Sequence, residues 1–235
     1  MFERSARLYD AIYSWKDYAA ETQRLSEVIA THKRAPGNTL LDVACGTGGH
    51  IPYLKDSFEV EGLDLNEVFL DIARERNPEV MFHLGDMIET DLGRQFDVVT
   101  CLFSAIGYVK TAERMAGAVA NMARHVAPGG VLIVEPWFSP QTWKGGRRAP
   151  GIDTVDEAEF KVVRMILWQR DGAEVSSDFH YLVGTPDGVE HFTERHELGL
   201  FTDEEHMGAF ESAGLSVVHD RDGLMGRGLF IGTRP

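Results

Sequence analysis

The chain has 235 residues, of which 43% are hydrophobic and 26% are charged. A chain of this length buries roughly 70–75% of the surface that its unfolded form exposes, so one α/β domain with an insertion can fold without disulfides. With 23 Lys and Arg against 37 Asp and Glu, the formal net charge is −14, which argues against nucleic acid and anionic membranes as partners.

The two cysteines, Cys45 and Cys101, lie in apolar segments that we interpret as strand ends. We expect both to be reduced, buried and structural, as is usual in a cytoplasmic protein. Charged residues within the first ten positions argue against a signal peptide. No apolar run reaches the ~18 residues that a membrane span needs. The expected location is therefore the cytoplasm.

The first 140 residues alternate between helical and strand patterns, which predicts a parallel sheet with helices on both faces. Strands are predicted at 39–44, 58–65, 80–86, 96–103 and 131–138, and helices at 6–31, from about His50, at 66–77 and at 111–126. The first helix should present Tyr9 and Tyr13 on one face. The helix at 66–77 should turn Val68, Ile72 and Ala73 inward.

After Pro140 the pattern becomes that of an antiparallel insertion. Three strand-like runs, at 159–170, 173–184 and 189–201, are joined by Asp-Gly and Pro-Asp-Gly turns that are typical of hairpins. A helix at 202–214, with Thr202 as N-cap, and strands at 215–220 and 228–235 return to the α/β pattern.

The predicted fold is α/β: a Rossmann-like, seven-stranded, mostly parallel sheet with its last strand antiparallel, and a small antiparallel β insertion. We expect three segments. Residues 1–140 form an N-terminal lid helix and a cofactor-binding core, 141–201 form the insertion over the acceptor site, and 202–235 complete the core sheet.

The stretch LLDVACGTGGH, residues 40–50, is a glycine-rich turn after a buried strand, a pattern typical of nucleotide-like cofactor sites. A dinucleotide fingerprint needs a third glycine where Ile51 stands, which weakens a nicotinamide or flavin interpretation. Asp42, followed by Gly46 and Gly48, instead resembles the first motif of class I S-adenosylmethionine-dependent methyltransferases. An acid suits the positive α-amino and sulfonium groups of that ligand. Small residues, Ala44 included, let the backbone pass close to it.

Two further acids follow later strands. Asp64 ends the second strand and would accept hydrogen bonds from the ribose hydroxyls. Asp86 stands where the resemblance implies an acid toward the adenine amino group, with Met87 against the ring. Each acid alone is equally well a helix cap or a solvated loop residue, but all three at these spacings favour a methyltransferase. Leu65 and Leu102, next to strand ends, complete the predicted cofactor site.

Motifs along the whole chain resemble one family within this class. The segments LYDAIYSWKDYAAE, LLDVACGTG, GDM, FDVVTCLFSAIG, APGGVLIVEPWF and GRGLFIG follow one another as in the dTDP-amino-sugar N,N-dimethyltransferases of the desosamine and mycaminose type. The resemblance implies transfer of a methyl group from S-adenosylmethionine to a small-molecule amine, such as a dTDP-linked amino sugar, with S-adenosylhomocysteine as product. A methyltransferase for another small metabolite, at nitrogen or oxygen, stays open. An S-adenosylmethionine-binding module without turnover is a second alternative.

The residues near the acceptor favour nitrogen over oxygen. An amine with a pKa near 8 loses its proton at pH 7 for about 1.4 kcal/mol, whereas a hydroxyl acceptor needs a poised base or a metal. His191 and His196 are five apart on a strand and point to opposite faces, so we interpret both as solvated strand residues. His125 is interpreted as a helix cap, His180 with Asp178 as a surface pair, and His50 as packing at a helix start. No metal is expected.

Two tyrosines are the candidates nearest the reacting methyl group. The resemblance places Tyr13 on a helix that covers the site. Tyr108 follows the fourth strand, at the edge where parallel sheets bind ligands. The resembled family commonly has a histidine at this second position, and a phenol with a pKa near 10 orients a substrate better than it removes a proton. Simple packing at a helix or loop edge is the alternative for both.

The insertion opens with PQTWKGGRRAP, residues 140–150, the densest positive cluster of the chain. Lys144, Arg147 and Arg148 around two glycines suit a diphosphate, with Trp143 beside them. Arg227 in GRGLF is a further substrate-binding candidate, and a solvated loop is the alternative for the cluster. An arginine that reaches the substrate in a relative aligns with Ser176 here, which argues against a nucleotide sugar. A homodimer stays open as the oligomeric state.

Overall fold

The structure, a computed structural model, describes residues 4–144 and 150–235. The strands are β1 Thr39–Val43, β2 Glu59–Asp64, β3 Met81–Leu84, β4 Phe96–Cys101, β5 Val126–Val134, β6 Gly151–Asp156, β7 Lys161–Asp171, β8 Glu174–Thr185, β9 Gly188–Gly199, β10 Ser216–Asp220 and β11 Leu229–Thr233. The helices are α1 Tyr9–Ile12, α2 Tyr18–His32, α3 Ile51–Leu54, α4 Glu67–Arg76, α5 Ala112–Arg124 and α6 Asp203–Ser212. Short 3-10 turns occupy Ala6–Leu8 and Ala105–Val109.

The main sheet has seven strands in the order β10-β11-β5-β4-β1-β2-β3. β1 pairs in parallel with β2 and β4, and β4 pairs in parallel with β5. Only β11 runs antiparallel to its neighbours, β5 and β10, which confirms the predicted fold class. The strand order reverses at β1 and β4, and ligands of such sheets bind outside the carboxyl ends of the strands at that point.

Helices cover both faces of this sheet, so its central strands are apolar throughout. All six residues of β4 are buried, as expected for a strand covered on both sides. One face packs against α5 and α6, and the other against α2 and α3. The inward side of α5 is the predicted stripe of Met115, Ala118, Val119 and Met122. Cys101 is buried as expected, whereas Cys45 is half-buried.

The N-terminal helix predicted over 6–31 is wrong in one respect, because the chain turns between α1 and α2. The Asp17 side chain accepts a hydrogen bond from the Ala20 N–H at 2.9 Å and so begins a new helix. Helix α4 also differs: it buries Phe69, Leu70 and Ala73, while Val68 is 38% exposed. At the start of α4, the residue that faces the core is therefore Phe69 and not the predicted Val68.

The insertion contains four strands, in the order β6-β7-β8-β9 and antiparallel throughout. β6 was not predicted, because two aspartates and a glycine make GIDTVD resemble a turn. The inner face of the sheet carries Val162, Ile166, Phe179 and Tyr181, which pack against Ile12 of α1. The insertion thus rests on the N-terminal segment. No helix among the described residues is long and apolar enough to cross a bilayer.

Candidate active site

A cleft of about 640 Å³ opens at the carboxyl ends of the first four strands, between the main sheet, the N-terminal segment and the insertion. Each of these strands is followed by residues that form its wall. These are Ala44 and Gly46 after β1, Asp64 as the last residue of β2 with Leu65 after it, Asp86 and Met87 after β3, and Leu102 and Phe103 after β4. Seven of the nine predicted cofactor residues therefore meet in one place, although they are spread over about sixty positions of the sequence.

The Asp64 carboxylate joins the glycine loop to β2. One oxygen accepts a hydrogen bond from the Gly46 N–H and the other from the Asn66 N–H, each at 2.8 Å. Burial raises the pKa of the carboxyl, and these backbone hydrogen bonds work against that rise. Each carboxylate oxygen has a further lone pair, so the group can still accept from a pair of ligand hydroxyls.

The glycine loop approaches the cleft through its backbone. Gly46 has a φ of +57° and nothing within 4 Å of where a side chain would stand, so a ligand can lie against the bare backbone. Gly48 is different, because a Cβ there would meet Ala73 and Asn77. Its φ of +74° and its contact with α4 explain the glycine, and it does not line the cleft.

Asp42, which the sequence predicted for the cofactor site, is not among the residues that form the wall of the cleft. The side chain is 2% exposed and accepts a hydrogen bond from the Thr100 hydroxyl at 2.8 Å. This bond links β1 to β4 beneath the glycine loop. Burial raises the pKa of its carboxyl.

Asp86 stands in the wall of the cleft, next to Met87 in the chain. Its carboxylate accepts a hydrogen bond from the Ile88 N–H at 2.7 Å, which closes the turn after β3. The Met87 side chain forms an apolar surface next to this carboxylate. An acid beside an apolar surface suits an adenine ring with its amino group, as the resemblance implies.

Tyr13 and Tyr108 both line the cleft, and each contacts a buried nitrogen on the insertion. The Tyr13 hydroxyl accepts a hydrogen bond from Arg164 at 3.2 Å. Arg164 is 3% exposed, and two of its N–H groups donate to Asp153 on the neighbouring strand, at 2.9 and 2.7 Å. The guanidinium also covers the Tyr13 ring, 5.0 Å from its centroid. The sequence patterns did not single out Arg164 or Asp153.

The Tyr108 hydroxyl lies 3.1 Å from Nδ1 of His196. His196 is 1% exposed, so its interpretation as a solvated strand residue was wrong. Its strand alternation was correct, since His191 is exposed on the opposite face. Burial lowers the pKa of His196 to about 4, and burial raises the pKa of the Tyr108 phenol well above its usual range. Both groups are therefore neutral at pH 7.

A strained turn after β4 carries the next part of the wall. Phe103 and Ser104 have φ values of +52° and +63°, which non-glycine residues rarely adopt. The turn is held by Glu135, which accepts from the Phe103 N–H at 2.7 Å. It is also held by Arg227, which donates to the Ser104 hydroxyl at 2.7 Å. Arg227 lines the cleft, and its guanidinium lies 5.8 Å from the centroid of the Phe138 ring.

A buried charge cluster lies behind this turn. The Lys16 ammonium pairs with Glu21, and Nε2 of His50 lies 2.9 Å from the same carboxylate. Burial opposes ionisation of Glu21, but the hydrogen bonds from His50 and Lys16 outweigh it and lower its pKa. The Lys16 ammonium is 4.2 Å from the centroid of the Phe103 ring. His50 therefore packs between the start of α3 and α2, in agreement with its structural interpretation.

The predicted substrate loop is placed only in part. Trp143 packs against the wall residue Trp137, with tilted rings whose centroids are 4.9 Å apart, and is not itself among the wall residues. Lys144 is exposed and lies outside the wall. Arg147 and Arg148 lie outside the described residues. Phe179 and Leu198 of the insertion do reach the cleft, and no sequence signal distinguished them from other core residues.

The remaining predicted histidines have structural roles. The His125 ring donates from Nδ1 to the Asn121 carbonyl at 2.9 Å, which confirms it as a helix cap. His180 does not pair with Asp178, because its partner across the strand is Thr193 at 3.1 Å. Asp178 instead pairs with Arg195 at 3.2 Å. Among the described residues, no group of three or more potential ligands is arranged to hold a metal ion.

Comparison with known proteins agrees with this geometry. A family model described as a methyltransferase domain matches residues 40–130. The chain is 43% identical to dTDP-3-amino-3,6-dideoxy-alpha-D-glucopyranose N,N-dimethyltransferase of Streptomyces fradiae, over 97% of this chain and 89% of the relative. Two solved structures, each 39% identical, are also similar. DesVI of Streptomyces venezuelae has a TM-score of 0.90 over 98% of both chains. CalS10 with bound S-adenosylmethionine, an amino pentose methyltransferase from Micromonospora echinaspora, has a TM-score of 0.86 over 97% of both.

The seven-stranded sheet, the cleft at its carboxyl edge and the matching domain define a class I S-adenosylmethionine-dependent methyltransferase. S-adenosylmethionine is accordingly the cofactor for which the cleft is built. Within this class, the chain belongs to the family of dTDP-amino-sugar N,N-dimethyltransferases, because the similarity extends over nearly its whole length.

Proposed function

We propose that this protein transfers methyl groups from S-adenosylmethionine to the amino group of a dTDP-linked 3-amino sugar. The observation that carries the proposal is the pair of phenols, Tyr13 and Tyr108, in the same cleft as the carboxylates Asp64 and Asp86. We assign the carboxylates to the cofactor and the phenols to the acceptor. The amino position is that of the Streptomyces fradiae relative, whose named substrate is a 3-amino sugar.

The protonation states at the acceptor end favour nitrogen. The Tyr108 pKa is raised by burial, and the pKa of His196 is lowered to about 4. Neither group is therefore poised to remove a proton from a hydroxyl at neutral pH. An amine needs no such base, since its lone pair is free once an ordinary ammonium has given its proton to water. The acceptor end thus orients its substrate, and orientation can be worth ~7–11 kcal/mol in well-aligned reactions.

The chain's own residues would divide the work as follows. When bound, S-adenosylmethionine supplies the methyl group on its sulfonium. Asp64 holds the ribose hydroxyls, and Asp86 with Met87 holds the adenine. Tyr13 and Tyr108 hold the N–H groups of the amine so that its lone pair faces the methyl group. Leu102 and the aromatic wall exclude water from the space between the two substrates.

The nucleotide end of the acceptor is assigned to Arg227 and the loop at 140–150. Arg227 supplies a fixed positive charge at the wall, and Lys144, Arg147 and Arg148 supply the densest positive charge of the chain. A diphosphate suits such a set of donors. We assign Trp143 to an indirect role, because it supports Trp137 in the wall.

We propose further that the protein works in the cytoplasm as a homodimer, without nucleic acid or membrane. Support for a dimer comes from the outer face of the small sheet, where Ile152, Met165, Leu167 and Leu182 are each more than 40% exposed. Contiguous apolar side chains on a sheet face mark interaction surfaces. Light scattering during size-exclusion chromatography measures the state, and a monomer at micromolar concentration would contradict it.

The function is tested by incubating the protein with labelled S-adenosylmethionine and a panel of acceptors. The panel contains a dTDP-3-amino sugar, a dTDP-4-amino sugar, the free 3-amino sugar and a sugar nucleotide with a hydroxyl in place of the amine. We expect methylation of the dTDP-3-amino sugar, with one and then two methyl groups seen by mass spectrometry. Transfer to the hydroxyl compound would favour the alternative metabolite methyltransferase. Cofactor binding without any transfer would favour the binding module.

A further inference from the structure

His196 is buried on the insertion, and its Nδ1 lies within hydrogen-bond distance of the Tyr108 hydroxyl. We propose that His196 is a positioning residue whose Nδ1 accepts the Tyr108 proton in a hydrogen bond, so that the lone pairs of the phenolic oxygen face the acceptor amine. This inference rests on the proposed function for the nature of the acceptor. The hydrogen bond itself is a property of the protein alone.

His196, the partner on the insertion, is 1% exposed, whereas Tyr108 lines the cleft. The Tyr108 hydroxyl and His196 Nδ1 are 3.1 Å apart, and the ring centroids are 6.1 Å apart. The imidazole packs on the ring of Phe179, 4.4 Å between centroids. Phe179 and Leu198, which flanks His196 on β9, both line the cleft beside Tyr108. A small shift of the imidazole would therefore be transmitted directly to the phenol.

The direction of the hydrogen bond follows from the chemistry that the site must perform. If the phenol donated into the cleft, it would donate to the amine lone pair and block attack on the methyl group. If the phenol donates to His196, its oxygen can accept an N–H of the amine and leave that lone pair free. Nδ1 is then the bare nitrogen, and the imidazole proton is on Nε2.

A proton relay through the same pair is disfavoured by the surroundings of His196. Burial lowers the pKa of the imidazole to about 4, with Glu194 raising it and Arg164 lowering it. An amine has a pKa near 8, so a proton placed on His196 would return to the amine. The proton of the methylated ammonium must therefore leave to water, and His196 acts only through the orientation of Tyr108.

Kinetics with the amino sugar separate this role from simple packing. We expect His196→Leu to lower kcat about tenfold, the scale of one hydrogen bond, with little change in the KM of the sugar or in cofactor affinity. His196→Asn should retain most of kcat, because its amide oxygen can accept at the place of Nδ1. Tyr108→Phe should resemble His196→Leu, and the double variant should lose no more than either one alone. His191→Leu, exposed on the opposite face of β9, is the matched control.

A second measurement does not depend on any acceptor. Long-range proton–nitrogen spectra of protein labelled in its histidines should show His196 with an unprotonated Nδ1, and Tyr108→Phe should shift that resonance. The signal is assigned by its loss in His196→Asn.

A protonated Nδ1, an unshifted resonance in Tyr108→Phe or additive kinetic losses would overturn the inference. If instead the tautomer is as stated but the wild type methylates no amino sugar, the proposed function fails. In that case the orientation of an amine by Tyr108 is also wrong, while the hydrogen bond between Tyr108 and His196 stands. The two failures are therefore distinguishable.

Discussion

Asp64 bonds to two backbone N–H groups and is 9% exposed, so it is rigid before any ligand arrives. A preorganised carboxylate loses little entropy on binding, which makes its contribution to affinity large. We expect Asp64→Ala to weaken the binding of S-adenosylmethionine by about 1.5–3 kcal/mol, the scale of hydrogen bonds to a charged group. Isothermal calorimetry measures the change.

Asp71 is the matched control for this prediction, because it is an exposed aspartate on the adjacent helix α4. Asp71→Ala should leave the affinity unchanged. If Asp64→Ala bound the cofactor as tightly as the wild type, the ribose assignment would be wrong. Tight binding of NAD by the wild type would argue against the cofactor assignment as a whole.

Arg227 combines a charge at the cleft with a hydrogen bond to Ser104. We expect Arg227→Ala to raise the KM of the nucleotide sugar roughly tenfold or more, with a smaller change in kcat, because a lost contact to the diphosphate weakens ground state and transition state alike. Added salt should raise the wild-type KM for the same reason.

Arg221→Ala is the control for Arg227→Ala, since Arg221 is exposed and lies outside the cleft wall. Steady-state kinetics at several salt concentrations give both parameters. A loss of cofactor affinity with an unchanged KM for the sugar would show that Arg227 serves the methionine end of the cofactor instead.

At the scale of elements, α6 shows how local signals begin a helix. Thr202 accepts from the Glu205 N–H at 3.1 Å, and the Glu205 side chain accepts from the Thr202 N–H at 2.8 Å, which is a complete capping box. We expect Thr202→Ala to lower the free energy of unfolding by about 1 kcal/mol, measured by urea denaturation. Glu211→Gln, exposed at the other end of α6, should change it by less than ~0.5 kcal/mol. Equal losses in both variants would contradict the role of the cap.

The same scale explains the errors at other elements. The segment 6–31 was predicted as one helix, because its apolar pattern continues past Asp17. In the structure, Asp17 is the N-cap at which the second helix begins. The strand β6 has little apolar character because Asp153 is paired with Arg164 of β7. In the sequence alone, an aspartate that forms an ion pair with a neighbouring strand cannot be distinguished from an aspartate in a turn. Such pairs are visible only when both strands are in place.

For the whole molecule, two buried histidines predict sensitivity to acid. Burial lowers the pKa of His206 to about 3 and that of His196 to about 4, against about 6.5 in the unfolded chain. The unfolded state therefore binds more protons between pH 6.5 and the folded values, so stability falls as the pH falls through this window. Each histidine should lower the free energy of unfolding by about 2 kcal/mol at pH 5 relative to pH 7.5.

Urea unfolding at the two pH values tests this expectation. His206→Leu should remove the contribution of His206 to the pH dependence of the free energy of unfolding, because no group remains at this position to be protonated in the unfolded chain. His191→Leu, at an exposed position, should keep the wild-type dependence. An unchanged dependence in His206→Leu would show that the folded protein accepts a proton at this site.

The sequence by itself determined the fold class, and seven of the nine residues that it predicted for the cofactor line the cleft. These features rest on local periodicity and on acids at strand ends, and parallel strands bring their carboxyl ends together whatever the details of packing. Asp64, Asp86 and Gly46 therefore met as predicted. Strand position does not show whether an end residue faces the cleft or the layer beneath it, and the structure places Asp42 in that layer, bonded to Thr100.

Only the tertiary structure decided what surrounds Tyr13 and Tyr108, the two phenols that we assign to the acceptor. Tyr108 and His196 are 88 positions apart, and Tyr13 and Arg164 are 151 apart, so no spacing rule connects them. Strand alternation correctly put His191 and His196 on opposite faces, but it cannot tell which face another part of the chain will cover. That face is covered by the N-terminal segment and the turn after β4. Their docking turned a histidine with the sequence signature of a surface residue into the buried partner of Tyr108.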